Sequence, residues 1–128
     1  MSEDDFFETT DPLGRIVRLK NDNWVEHVSL HSETTSDDII RNIQSPRYIC
    51  INVKPEFDGS DVLIVDNSRN DYIDIIPVSG KMYVLKTIVQ FDNYNFGVVV
   101  TNYVLGRANE IKTSGGIIYD SRQSKNTK

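Results

Sequence analysis

The spacing of apolar positions changes partway along the chain. Up to Gln44 they recur at helical intervals, and from Tyr48 onward they alternate or run together as strands do. Trp24, His27, Val28 and His31 fall at i, i+3, i+4 and i+7 behind the capping cluster Asn21-Asp22-Asn23, which predicts a helix beginning near Trp24. Ser32 to Thr35 is a polar break. Ser36 is placed to cap a second helix, Asp37 to Gln44. Its acidic first turn suits the positive helix end, and Ile39, Ile40 and Ile43 form its apolar face. Ser45-Pro46 stops it, because the residue before proline avoids the α region.

Ahead of these helices, residues 1–10 are acidic with only Phe6 and Phe7 as anchors, and are expected to be a flexible arm. Asp11-Pro12-Leu13-Gly14 reads as a turn. Arg15 to Leu19 follows as a short strand with Val17 and Leu19 on one face. Beyond the helices, strands are expected at Tyr48–Val53, Val62–Val65, Tyr72–Val78, Met82–Phe91, Phe96–Leu105 and Ile117–Tyr119. Asp66–Asp71 and Asp92–Asn95 read as turns, and Pro77 confines its strand to an edge or an end. Phe96–Leu105 is apolar enough to be central. The fold class expected is α+β: an N-terminal strand and two helices packed on an antiparallel sheet of four to five strands. It forms one domain over residues 11–119, with a disordered tail at 120–128.

Composition narrows the function classes. The 128 residues carry a net charge of −5, which argues against non-specific binding to nucleic acid or anionic membrane. Cys50 is the single cysteine, so no internal disulfide can form, and its apolar surroundings favour a buried small hydrophobe over a nucleophile. No run approaches a membrane span, and the acidic N-terminus lacks the basic character of a signal peptide; a cytoplasmic setting is expected.

The chemistry-bearing pair is His27 and His31. Four residues apart on a helix, they project from one face about a turn apart, where acid–base work or metal binding is conceivable. A zinc site needs further ligands, and no cysteine pair or third histidine supplies them. The competing reading makes His27 a satisfied core residue and His31 a cation at a helix end. Trp24 is read as packing.

Asp11-Pro12-Leu13-Gly14-Arg15, then Trp24 to Val28 with His31, then Ile39 to Pro46, and finally Val99-Val100-Thr101-Asn102-Tyr103 form an ordered motif string. It resembles a phage- and toxin-associated group of domains in the superfamily that includes barnase, EndoU, colicin E5, colicin D and RelE. The string covers roughly residues 11–104. Two positions depart from the group's pattern: His31-Ser32-Glu33 stands for His-Pro-Glu, and Asn102 stands for alanine. The resemblance implies a RelE- or barnase-like fold and a metal-independent ribonuclease needing no cofactor. His27 and His31 would divide the acid and base roles, and Thr101 and Tyr103, on one strand face with Val99, would bring a hydroxyl and a phenol to them as further catalytic groups. Arg15, Arg69 and Lys86 would hold the substrate. The implied partners are RNA, with tRNA or ribosome-bound mRNA in view, and an antitoxin or immunity protein, with no membrane. The acidic charge favours an alternative, a non-catalytic protein that uses the same fold to dock a partner.

Overall fold

A computed structural model describes residues 5–20, 35–55, 63–78, 80–93, 95–107 and 116–124. Its strands are β1 (Asp5–Thr10), β2 (Ile16–Lys20), β3 (Tyr48–Pro55), β4 (Leu63–Val78), β5 (Lys81–Phe91), β6 (Phe96–Arg107) and β7 (Ile117–Asp120). Helix α1 spans Ser36–Gln44, and the single turn α2 spans Ser121–Ser124. All seven strands form one sheet in the order β1-β2-β6-β5-β4-β3-β7. Every pairing is antiparallel except β2 with β6, where Ile16 lies opposite Phe96 and the strands run parallel.

This architecture corrects the expected fold class. The sheet is mixed, has seven strands rather than four or five, and dominates the described residues, against which one nine-residue helix packs. The helix expected near Trp24 lies outside the described residues. Two misread segments account for much of the rest. The acidic arm is in part a strand: Phe7 alternates inward and is 6% exposed, while Glu8 on the outer side meets Arg18 at 2.7 Å. The turn expected at Asp66–Asp71 is the interior of the sixteen-residue β4. Asn70 and Asp71 are buried there because their side chains find partners across the sheet, which a turn would not need. The irregularity that the turn formers announce is a register shift. Ile51 pairs with Asn70 but Asn52 pairs with Asp66, so β4 bulges against β3. The expected tail likewise begins with order, as Asp120 closes β7 and its carboxylate takes the Arg122 amide at 2.9 Å.

Helix α1 begins at a reciprocal cap. The Thr35 hydroxyl accepts from the Asp38 amide (3.2 Å) and the Asp38 carboxylate accepts from the Thr35 amide (3.1 Å), so Thr35 takes the role expected of Ser36. Ile39, Asn42 and Ile43 are its buried face. They meet Phe7, Val17, Leu19, Ile49, Tyr72, Val89 and Val99, one inward row drawn from six strands. Each fully buried aliphatic side chain here contributes about 1.5–3 kcal/mol. The β5–β6 hairpin turns at Asn93, whose side-chain oxygen accepts from the Asn95 and Phe96 amides. Just beyond it, Gly97 has no room for a side chain: an added Cβ would stand 2.6 Å from Val89 and 2.7 Å from the Phe91 ring. Ile117–Asp120 joins at the edge beside β3, close to where the last short strand is expected.

Candidate functional site

The sheet carries a polar network on each face. On the helix side the organiser is Asp11, whose turn is closed by Gly14 at φ +83°. One carboxylate oxygen accepts from the amides of Leu13 (3.0 Å) and Arg15 (2.8 Å). The other accepts from Arg15 Nε (2.8 Å) and from the Tyr72 hydroxyl (2.5 Å). The Arg15 guanidinium then donates to Asn70 Oδ1 (2.8 Å) and to the Tyr72 hydroxyl oxygen (3.1 Å), and lies 4.0 Å over the Phe91 ring. The Asp11 side chain is fully buried and that of Arg15 is 16% exposed. Burial pushes the Tyr72 phenol well above its ordinary value; the Arg15 charge opposes this and Asp11 reinforces it. Tyr72 therefore stays protonated and donates to Asp11. Arg15, expected to hold substrate, is bound into the protein's own network instead, and a phosphate would have to displace a carboxylate to reach it.

A second chain of bonds runs beside it. Asn42 on α1 donates to the Tyr72 carbonyl (2.8 Å) and to Thr87 Oγ1 (3.0 Å), and Thr87 donates to Asn102 Oδ1 (2.7 Å). Asn102 is fully buried. The residue that departs from the motif string thus points to the helix, not to the neighbours expected to act with it.

Because Thr87 and Asn102 face the helix, Lys86, Ile88, Thr101 and Tyr103 face the other way. A bulge sets this parity. Val89 pairs with Val99 and Ile88 with Thr101, leaving Val100 as the extra residue. One extra residue exchanges the faces, so Val99 enters the helix-side core and does not share a face with Thr101 and Tyr103 as expected. On the far face Tyr103 stands opposite Lys86, and Thr101 opposite Ile88, which on its other side is opposite Asp71. Lys86 Nζ lies 3.3 Å from an Asp71 carboxylate oxygen, and the other oxygen accepts from Asn52 Nδ2 at 2.8 Å. Arg69 is on the same face, donating to Gln90 Oε1 at 2.7 Å. Tyr103 is 37% exposed.

Of the residues picked out in the sequence, the structure gathers Thr101, Tyr103, Lys86 and Arg69 on one face and sets Arg15 on the opposite one. His27 and His31 lie outside the described residues. Asp71 and Asn52 belong to the gathered group and were missed. Their signal is alternation, Asp71 and Ile73 against Asn70 and Tyr72, and the turn-forming composition of Asp66–Asp71 hides it. Cys50 pairs with Asp71 across the ladder. Burial, helped by the Asp71 carboxylate and opposed by Lys86, pushes its thiol up to about 11, so it is a thiol and not a thiolate at neutral pH.

Among the described residues no group of three or more histidine, cysteine or carboxylate side chains is placed to hold a metal ion, and no helix is long and apolar enough to cross a membrane. No protein-family model, no curated protein and no solved structure matches this chain.

Proposed function

We propose that the domain is a metal-independent endoribonuclease of the toxin type and that its substrate lies across the far face of the sheet. The observation that carries this reading is the grouping of Lys86, Arg69, Thr101 and Tyr103 on that face. Lys86 and Arg69 supply positive charge for a phosphate, and the Tyr103 ring offers a surface for a base and a hydroxyl for hydrogen bonding. In this reading His27 and His31 exchange the protons, one taking the 2′-hydroxyl proton and the other protonating the leaving oxygen, as the motif string implies. Asp71 holds Lys86 in place while free of substrate and releases it to the developing phosphorane charge.

The test is cleavage of total RNA by the purified protein in EDTA, read by sequencing of the new ends. His27→Ala is expected to lower the rate about 10²–10⁴-fold. Lys86→Met should lower it about 10²–10³-fold, measured under conditions where the variant is shown to be folded, because it also leaves the buried Asp71 carboxylate without its cation. Absence of new ends with the wild-type protein, or full activity in His27→Ala, overturns the proposal. One observation favours a second reading, a non-catalytic docking protein: Lys86 is already paired with Asp71 in a chain of net charge −5. That reading expects no RNA cleavage and binding to a basic protein partner that weakens with salt.

A further inference from the structure

At the C-terminal end of α1 an open cavity of about 440 Å³ lies between the helix, the start of β3 and the β7–α2 junction. Its wall includes Gln44, Arg47, Asp74, Tyr119, Ser121 and Arg122. The backbone around it is fixed: the Arg47 amide donates to the Ile73 carbonyl (2.8 Å) and the Arg47 carbonyl accepts from the Ser121 amide (3.0 Å). The Arg47 side chain is different. Its Nε is buried and has no protein acceptor, and among the described residues no carboxylate forms an ion pair with it. Asp74 lines the same cavity and accepts from the Ile75 amide at 2.8 Å; among the described residues it forms no ion pair with Arg47. A helix C-terminus attracts cations, but here no helix carbonyl takes the Nε proton. A buried guanidinium N–H without an acceptor costs free energy, and an oxyanion in the cavity recovers it once the Arg47 side chain turns its fork outward to meet the ligand.

We infer that this cavity binds a nucleoside monophosphate or a close analogue, with the phosphate held by Arg47 and Arg122. The second arginine holds Asp120 through two bonds, at 3.2 and 3.3 Å, and lies 5.6 Å over the Tyr48 ring, but unlike that of Arg15 its side chain is 69% exposed, so solvent already weakens the pair a phosphate would have to replace. Two guanidiniums suit a doubly charged phosphate better than a single carboxylate. Asp74 and Gln44 are then left to accept from and donate to the polar body of the ligand, and the half-buried Tyr119 ring offers an aromatic edge. The volume falls within the range usual for small-molecule sites. Tyr119 packs on the helix-side core, so this cavity is separate from the far face of the sheet, and the inference does not depend on RNA cleavage.

The experiment is an amide-shift titration of the whole chain with AMP, with inorganic phosphate and with adenosine, at matched ionic strength. Saturable shifts are expected at Gln44, Ser45, Arg47, Asp74 and Tyr119 to Arg122, with AMP binding more tightly than either fragment. Arg47→Gln should weaken AMP at least about tenfold, the usual scale for losing a charge-assisted hydrogen bond. Arg47→Lys, which keeps the charge without the planar fork, should fall between. Should Arg47→Gln lose its folded spectrum, Arg122→Gln at its exposed position carries the same expectation. No saturable shifts at these amides, AMP no tighter than phosphate or adenosine, or unchanged affinity in the folded variant overturns the inference.

Discussion

The two faces of the sheet hold their carboxylates differently. Asp11, on the helix side, has both oxygens occupied by two backbone amides, a guanidinium and a phenol, and its side chain meets no solvent. Asp71, on the far side, holds one amide side chain and one ammonium beside an exposed tyrosine. Asp11 sits in the turn between β1 and β2 and Asp71 inside β4, and both are paired with a cation. The difference is saturation. A network whose donors and acceptors match inside the protein fixes the fold and has nothing left for a ligand. A network whose cation stays partly open, as Lys86 does at 26% side-chain exposure, can exchange partners. Cation identity follows the same division, since the planar fork of Arg15 reaches three partners at once while Lys86 is a single mobile charge.

The sharpest way to break this comparison is Asp11→Ala. It leaves the Arg15 charge and the Tyr72 hydroxyl buried without their shared acceptor, and is expected to cost about 3–5 kcal/mol in urea unfolding. A loss below about 1 kcal/mol would show that the helix-side network is not what holds the turn to the sheet. Gly97→Ala probes the same face through packing alone. Its new methyl group would press on Val89 and on the Phe91 ring that supports Arg15, with an expected cost of about 1–3 kcal/mol. Wild-type stability here would mean that the two side chains yield freely.

The smallest effect belongs to the far face and to pH. The Cys50 thiol is raised in the folded protein from 9.0 to about 11, so the unfolded chain releases this proton first as pH rises. Its contribution is intact below about pH 9 and declines between there and about pH 11. Unfolding of wild type and Cys50→Ala, compared over that interval, should show a steeper decline for wild type. Parallel curves would mean that Cys50 senses neither its burial nor Asp71.

Much of this arrangement was legible because local patterns carried it. The Asp11–Gly14 turn, helix α1, the β5–β6 hairpin and the stop at Pro46 each follow from residues close in sequence. The bulge at Val100 was not legible. Nothing in Val-Val-Val-Thr distinguishes a regular strand from one with an extra residue, and the choice is made by what β5 places opposite. The role of Arg15 was hidden for the same reason, since Asn70 and Tyr72 reach it from far along the chain. The interior of β4 was misread because Asn, Ser and Asp favour turns when solvated and serve strands equally well when neighbouring side chains satisfy them.

The parallel junction of β2 with β6 has a kinetic consequence. Ile16 and Phe96 are 96 − 16 = 80 positions apart, and no hairpin can bring them together. Closing a flexible loop of that length costs about 4 kcal/mol of chain entropy before any contact repays it. The β1–β2 ribbon therefore has to wait, with one edge unsatisfied, until β5 and β6 have formed the strand it docks on. Refolding should be governed by that late docking step, and during synthesis the ribbon stays incomplete until β6 has been made.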